Sequence, residues 1–171
     1  MPATIGYARV SSTGPPPQVV VVSDEAEEQE AVARFINSMT AEGVEPSEIA
    51  LFVRTRDEFP RARAAAAKAE AGVTGLTGRN EGEAGRISIG TMHFAKGLEF
   101  KAVAVMACDE EILPSADRLA EVSDEMELDD VYATERQLFY VAATRARDWL
   151  LVTGVAPASE FLEDLQAVCR P

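Results

Sequence analysis

Apolar residues along this chain fall into short continuous runs separated by stretches of helical spacing. Residues 18–22 (QVVVV), 49–53 (IALFV), 86–91, 102–108 and 149–153 are runs of strand length, several of them β-branched, and each predicts a strand. Between the first two, residues 25–42 place Val32, Phe35, Ile36 and Met39 at helical intervals. Ser23 and Asp24 supply a cap there, with Glu27 three residues after Asp24, and Gly43 supplies a stop. The alanine-rich residues 57–71, the acidic residues 115–128 and the stretch 131–147 predict further helices. Residues 159–168 predict a closing helix capped by Ser159, with Leu162 and Leu165 facing inward. Residues 72–85 read as a loop with room for one short strand. Strands that are apolar throughout belong to a sheet covered on both faces. Their alternation with helices predicts an α/β fold with a mainly parallel sheet flanked by helices. The tract ending in Gly14, Pro15, Pro16 and Pro17 has linker composition, so residues 1–17 are expected as an extension and residues 18–171 as one domain.

Composition narrows the class. A chain of 171 residues with 47% hydrophobic and 26% charged residues is of ordinary globular make-up, not a disordered, collagenous or disulfide-scaffold chain. No apolar run approaches the length of a bilayer span, and the start has no basic, apolar leader, so neither a membrane nor a secretory route is expected. Two distant cysteines, Cys108 and Cys169, and one histidine, His93, give neither a disulfide framework nor a zinc site, and a reducing cytoplasm is the expected setting. Met92, Met106, Met126 and Trp149 read as core filling, and residues 121–130 as a solvated acidic face. The net charge of −13 argues against free-standing nucleic-acid binding, although it does not describe any one face.

Two segments carry candidate chemistry. The first, TMHFAKGLEF at residues 91–100, follows a strand, and in open α/β sheets ligands gather at strand carboxyl ends. Thr91, His93 and Lys96 can donate to phosphate oxygens, Gly97 permits a close turn, and Glu99 can accept from a sugar hydroxyl. The same residues would also suit a plain strand–turn junction. In the second segment, ATERQLFYVAATRAR at residues 133–147, Leu138, Ala142 and Arg145 fall near one helical face. An arginine at the edge of an apolar face can fork onto a phosphate, or simply complement a helix terminus.

Taken together and in order, these segments resemble motifs V and VI of the UvrD/Rep-like superfamily 1 helicases, written T-x-H-x-x-K-G-L-E-F and E-R-x-L-x-Y-V-A-x-T-R-A. Residues 51–55 (LFVRT) resemble the strand of motif IVa, with Arg56 where the family usually has asparagine. The resemblance covers roughly residues 18–168 and implies the second RecA-like domain of the motor, a three-layer α/β unit. On that resemblance Arg145 is the arginine finger, the catalytic residue that reaches the terminal phosphate of ATP. Gly97 and Glu99 join it in the ATP site, Glu99 as the ribose contact. Thr91, His93 and Lys96 fall to single-stranded DNA, together with Arg54 and Thr55. ATP and Mg²⁺ would be bound mainly by a first RecA-like domain, the expected partner alongside single-stranded DNA.

Departures from the family pattern define what the chain lacks. It has no G-x-x-x-x-G-K-[ST] loop, no convincing Mg²⁺-binding carboxylate pair, no Gln-x-x-Arg motif, and no large insertion between motifs IVa and V, where only residues 57–85 stand. The expectation is therefore half of an ATP-dependent DNA helicase, inert alone. By resemblance it moves 3′-to-5′ in repair or recombination. Two competitors remain. Residues 5–11 (IGYARVS) resemble the opening of serine recombinases, with Ser11 as nucleophile. The acidic balance also suits a catalytically silent RecA-like interaction module.

Overall fold

The computed structural model describes residues 14–77 and 82–168. Ser11 and Cys169 lie outside them. Six strands carry the apolar runs: β1 (Gln18–Val22), β2 (Ile49–Val53), β3 (Val73–Gly75), β4 (Ile87–Thr91), β5 (Phe100–Val105) and β6 (Ala146–Val155). They form one sheet in the order β1-β6-β5-β2-β4-β3, and every pairing is parallel. Each late strand enters between earlier ones, β4 between β2 and β3, and β6 between β1 and β5. Among the described residues, five helices flank the sheet: α1 (Glu25–Ala41), α2 (Phe59–Lys68), α3 (Ala116–Ala120), α4 (Glu125–Ala143) and α5 (Phe161–Val168).

The period-2 geometry of the strands sorts their side chains into two cores. Ala50, Phe52, Val103, Val105, Leu150 and Val152 pack with Phe139 and Ala142 of α4 and Phe161 of α5. Their neighbours Ile49, Leu51, Ala102, Ala104, Ile87 and Ile89 pack on the other face with Val32, Phe35 and Ile36 of α1 and Ala62 and Ala65 of α2. This is the expected three-layer α/β arrangement.

Local signals act as the chemistry requires. The Asp24 carboxylate accepts from the Glu27 amide at 2.8 Å while Glu27 accepts from the Ser23 amide at 2.9 Å, a reciprocal cap on α1. Gly43 ends that helix at φ +86°, a conformation glycine enters without a Cβ clash. The Ser159 hydroxyl accepts from the Phe161 amide at 3.3 Å at the start of α5, and Leu162 and Leu165 are buried there. Gly154 allows the Cys108 carbonyl to approach β6, because a Cβ at that position would stand 2.6 Å from it.

Several expectations need correcting. Residues 131–147 are not one helix. The helix runs from Glu125 to Ala143, Thr144 ends it, and Ala146 already opens β6. The acidic helix expected over 115–128 is split between the short α3 and the first turn of α4. Met92 and Met106 are core, but Met126 is 80% exposed because it stands on the solvated first turn of α4. Trp149 is only half-buried, packed at the margin of the α1-side core. Residues 121–130 form the solvated acidic face expected of them.

A buried polar node ties the layers together at the carboxyl ends of β5 and β6. The Glu28 carboxylate of α1 has no exposure. It accepts from the Arg61 guanidinium of α2, from the Ala107 amide at 2.9 Å and from the Thr153 hydroxyl at 2.7 Å. Asp109 takes the other face of Arg61 at 2.8 and 3.0 Å and also accepts from the Val155 amide. Burial disfavours the Arg61 cation, yet Asp109 and Glu28 outweigh it and raise its pKa, so the guanidinium stays charged. Burial, with Glu28 and Asp109 alongside, pushes the Cys108 thiol well up, which keeps it a protonated core residue.

Candidate functional site

Residues 91–100 do not gather at one end of the sheet. Thr91 ends β4 at the carboxyl side, whereas Phe100 opens β5 at the amino side, and both strands run in the same direction beside β2. Residues 92–99 therefore cross the full height of the sheet. A parallel crossover is usually a dozen residues or more, so this one is unusually direct. It is pinned by Met92 and Ala95, both buried, and turns at Gly97 with φ +82°. The polar residues that look like one cluster in sequence thus divide into two sites.

The carboxyl-end site holds Arg54, Thr55, Thr91 and His93. Arg54 and Thr55 follow β2 directly. Thr91 is buried, and its extended backbone starts the 3₁₀ turn Met92–Phe94 that lifts His93 into solvent. The Thr55 hydroxyl donates to Glu58 at 2.7 Å, closing a capping box on the 3₁₀ turn Arg56–Glu58. Arg54 is 5% exposed. Its guanidinium forks onto Glu135 of α4, with Nε to Oε2 and Nη2 to Oε1 both at 2.6 Å, and its Nη1 lies 3.3 Å from His93 Nε2. Glu135 also accepts from the Ser115 amide at 3.0 Å and from Arg118 of α3 at 3.1 Å.

Burial opposes charge on Glu135, but the bonds from Arg54, Ser115 and Arg118 prevail and hold the carboxyl below its ordinary range. Its contribution to stability is thus present above the ordinary carboxylate pKa and is lost as pH falls through the lowered one. Partial desolvation, then the Arg54 cation, lowers the pKa of His93, with Glu135 acting the other way and Arg118 adding to the lowering.

The amino-end site is a cleft of about 540 Å³ lined by Ser47, Gly97, Leu98, Glu99, Phe100 and Arg145. Glu99 is exposed at its rim. Arg145 sits in the short link between α4 and β6. It donates from Nε to the Val141 carbonyl at 3.1 Å, from Nη1 to the Leu98 carbonyl at 3.4 Å and from Nη2 to the Thr144 hydroxyl at 3.2 Å. All three acceptors are neutral. The Arg145 carbonyl in turn accepts from the Phe100 amide at 3.0 Å, so Arg145 is bonded to both residues that flank Glu99. Lys96, exposed in the crossover, belongs to neither cluster.

Sequence reading missed Glu135, Arg118, Thr144 and Ser47. Glu135 and Thr144 stand inside the second motif and could have been singled out as the polar residues flanking its apolar stripe. Arg118 and Ser47 carry no such signal.

An all-parallel sheet sandwiched by helices, with one polar cluster at each end and a single segment running between them, defines an α/β domain of the RecA-like class. Residues 73–156 match the family model described as the UvrD-like helicase C-terminal domain, just under half of the chain. It is 39% identical over 75 residues to the ATP-dependent DNA helicase PcrA of Staphylococcus epidermidis, covering 44% of this chain and 10% of that one. A probable DNA helicase II homolog of Mycoplasma capricolum is 43% identical over 87 residues, 50% of this chain and 11% of the relative. The ATP-dependent DNA helicase srs2 of Schizosaccharomyces pombe is 33% identical over 88 residues, 52% and 9%. The matched segment thus spans about a tenth of these relatives. Among solved structures, the C-terminal domain of a possible DNA helicase from Lactobacillus plantarum shares the fold, with a TM-score of 0.67, 24% identity, and coverage of 89% of this chain and 81% of that one.

Proposed function

We propose that this chain is the second motor domain of an ATP-dependent DNA helicase or translocase. It would supply the arginine finger and ribose contact from one end of its sheet and part of a single-stranded DNA track from the other. The observation that carries this reading is the amino-end cleft, where a half-buried Arg145 donates to three neutral oxygens among the described residues and Glu99 lines the same cleft. A guanidinium so held keeps its charge available for a phosphate, to which its fork is matched.

The residues present fit one side of a nucleotide. Glu99 would accept from a ribose hydroxyl, and Arg145 would donate to the terminal phosphate. When bound, Mg²⁺ would neutralise charge on the phosphates, held mainly by the first RecA-like domain. No phosphate-cradling loop occurs in this sequence, so the chain alone is expected to be inert. Closure of the first domain on this face would bring the phosphates to Arg145 and make hydrolysis depend on domain position. Because residues 92–99 join the nucleotide cleft to His93 directly, the grip on the strand would change with nucleotide state. Thr91, Thr55 and Lys96 are proposed for the strand side. Movement 3′-to-5′, a role in repair and a cytoplasmic setting extend the same reading.

The acidic face at residues 121–130 favours a second reading, a catalytically silent interaction module. The joint placement of Glu99 and Arg145 on one cleft weighs against it.

Nucleotide binding separates the two. In the complete motor (this domain together with its phosphate-binding first domain), Glu99→Ala is expected to weaken ATP binding by roughly tenfold or more, the scale of one hydrogen bond to a charged group. It should also abolish the preference for ATP over its 2′,3′-dideoxy analogue, as read by competition against a fluorescent nucleotide. An unchanged preference would remove Glu99 from the ribose site.

A further inference from the structure

The sequence places Arg54 among the strand contacts, yet its guanidinium is buried and forked onto Glu135, leaving little of it for a ligand. What it does reach is His93. A guanidinium carries donors and no acceptor. At 3.3 Å the Arg54 Nη1–H must therefore meet a lone pair on His93 Nε2, and in a neutral imidazole this puts the proton on Nδ1. Protonation of Nε2 would cost that hydrogen bond and set two cations against each other. The charged groups facing the ring are Arg54 from the end of β2, Arg118 from α3 and Glu135 from α4. Of these, Glu135 is already engaged by both arginines and the Ser115 amide. Nδ1 has no partner among the described residues.

We infer that Arg54 serves strand binding as a positioning residue: anchored by Glu135, it fixes His93 as the neutral Nδ1–H tautomer, so that the exposed ring offers a strand one directed hydrogen-bond donor rather than a positive charge. This rests on the reading of His93 as a strand contact and deepens it. A cation on a phosphate releases counterions and steepens the salt dependence of binding, by about 0.7 per contact for single strands, whereas a neutral donor leaves that slope alone. His93 and Lys96, three residues apart in the crossover, should thus be separable by salt.

His93 is the only histidine in the chain, so its ring nitrogens can be read without assignment ambiguity in ¹⁵N-labelled protein. At pH 7.5 the 171-residue chain is expected to show a protonated Nδ1 and a bare Nε2. In Arg54→Lys, whose single ammonium cannot both fork onto Glu135 and reach the ring, the balance should move toward the Nε2–H form that free histidine favours. An Nε2–H ring or an imidazolium in the unmodified chain would overturn the inference, and that spectrum needs no variant to fold. The unchanged Nδ1–H form in folded Arg54→Lys would overturn the part given to Arg54.

The strand arm uses the complete motor and labelled oligodeoxythymidylate. His93→Ala is expected to weaken binding roughly five- to tenfold with an unchanged slope of log Kd against log salt, the scale of one hydrogen bond. Lys96→Ala should lower the slope. A flattened slope in His93→Ala would overturn the neutral-donor assignment. Unaltered affinity in His93→Ala, beside the expected tautomer, would instead sink the reading of His93 as a strand contact.

Discussion

Replacing Arg145 by alanine is expected to lower ATP turnover by roughly 10³- to 10⁵-fold in the complete motor proposed above, the range spanned by arginine fingers in phosphoryl transfer, and to leave nucleotide affinity nearly intact. The expectation follows from how the side chain is held. Its three donor contacts go to the Val141 and Leu98 carbonyls and the Thr144 hydroxyl, and Thr144 itself donates to Val141 at 3.0 Å. The guanidinium is thereby aimed without being neutralised. A developing phosphate charge is a better partner than any of these oxygens, so the interaction strengthens in the transition state, the condition for raising turnover rather than affinity. Arg145→Lys should recover little, because a single ammonium cannot reproduce the planar fork. Single-turnover hydrolysis at saturating nucleotide and strand, beside equilibrium nucleotide binding, separates the two quantities. A variant that loses affinity and turnover in proportion would place Arg145 in ground-state binding instead.

The second large effect is on stability. Arg61→Met keeps most of the apolar stem of the side chain but strands Glu28, which has no exposure, with only an amide and a hydroxyl for its charge. Removing one partner of a buried pair costs about 3–5 kcal/mol, because the remaining charge is left uncompensated. For a chain of this size that corresponds to a fall of the thermal midpoint on the order of 10 °C. Adding Glu28→Gln to Arg61→Met should restore part of the loss by removing the stranded charge. Thermal unfolding of the single and double variants checks both claims. A single variant within 1 kcal/mol of the parent, an upper bound of about the size of an exposed ion pair, would show that the node contributes no more than a surface contact.

What the sequence disclosed, and what it hid, follows from the range of the interactions involved. Strands β2, β4, β5 and β6 were legible because burial on both faces makes most of their residues apolar. The caps at Asp24 and Ser159 were legible because capping is local. The boundary at Thr144 was not: Ala142, Ala143 and Ala146 continue a helical spacing, and only the pairing of Ala146 with Phe100 across the sheet turns the chain into a strand. Gly97, Glu99 and Arg145 were named from motif resemblance, and the structure sets them on one cleft. That cleft lies at the amino ends of the strands, contrary to the carboxyl-end expectation, because residues 92–99 cross the sheet instead of staying beside β4. Arg54 was read, on the resemblance, as a contact to single-stranded DNA. Its partner Glu135 lies 81 residues away, a separation that no periodicity encodes.

The central claim is that this domain completes a strand-dependent ATP motor and has no turnover of its own. It is tested most directly by ATP hydrolysis measured with and without single-stranded DNA, for the 171-residue chain alone and for the complete motor. The account predicts no hydrolysis above background by the chain alone in either condition, and strand-stimulated hydrolysis by the complete motor. Hydrolysis by the chain alone, or a complete motor indifferent to the strand, would contradict it.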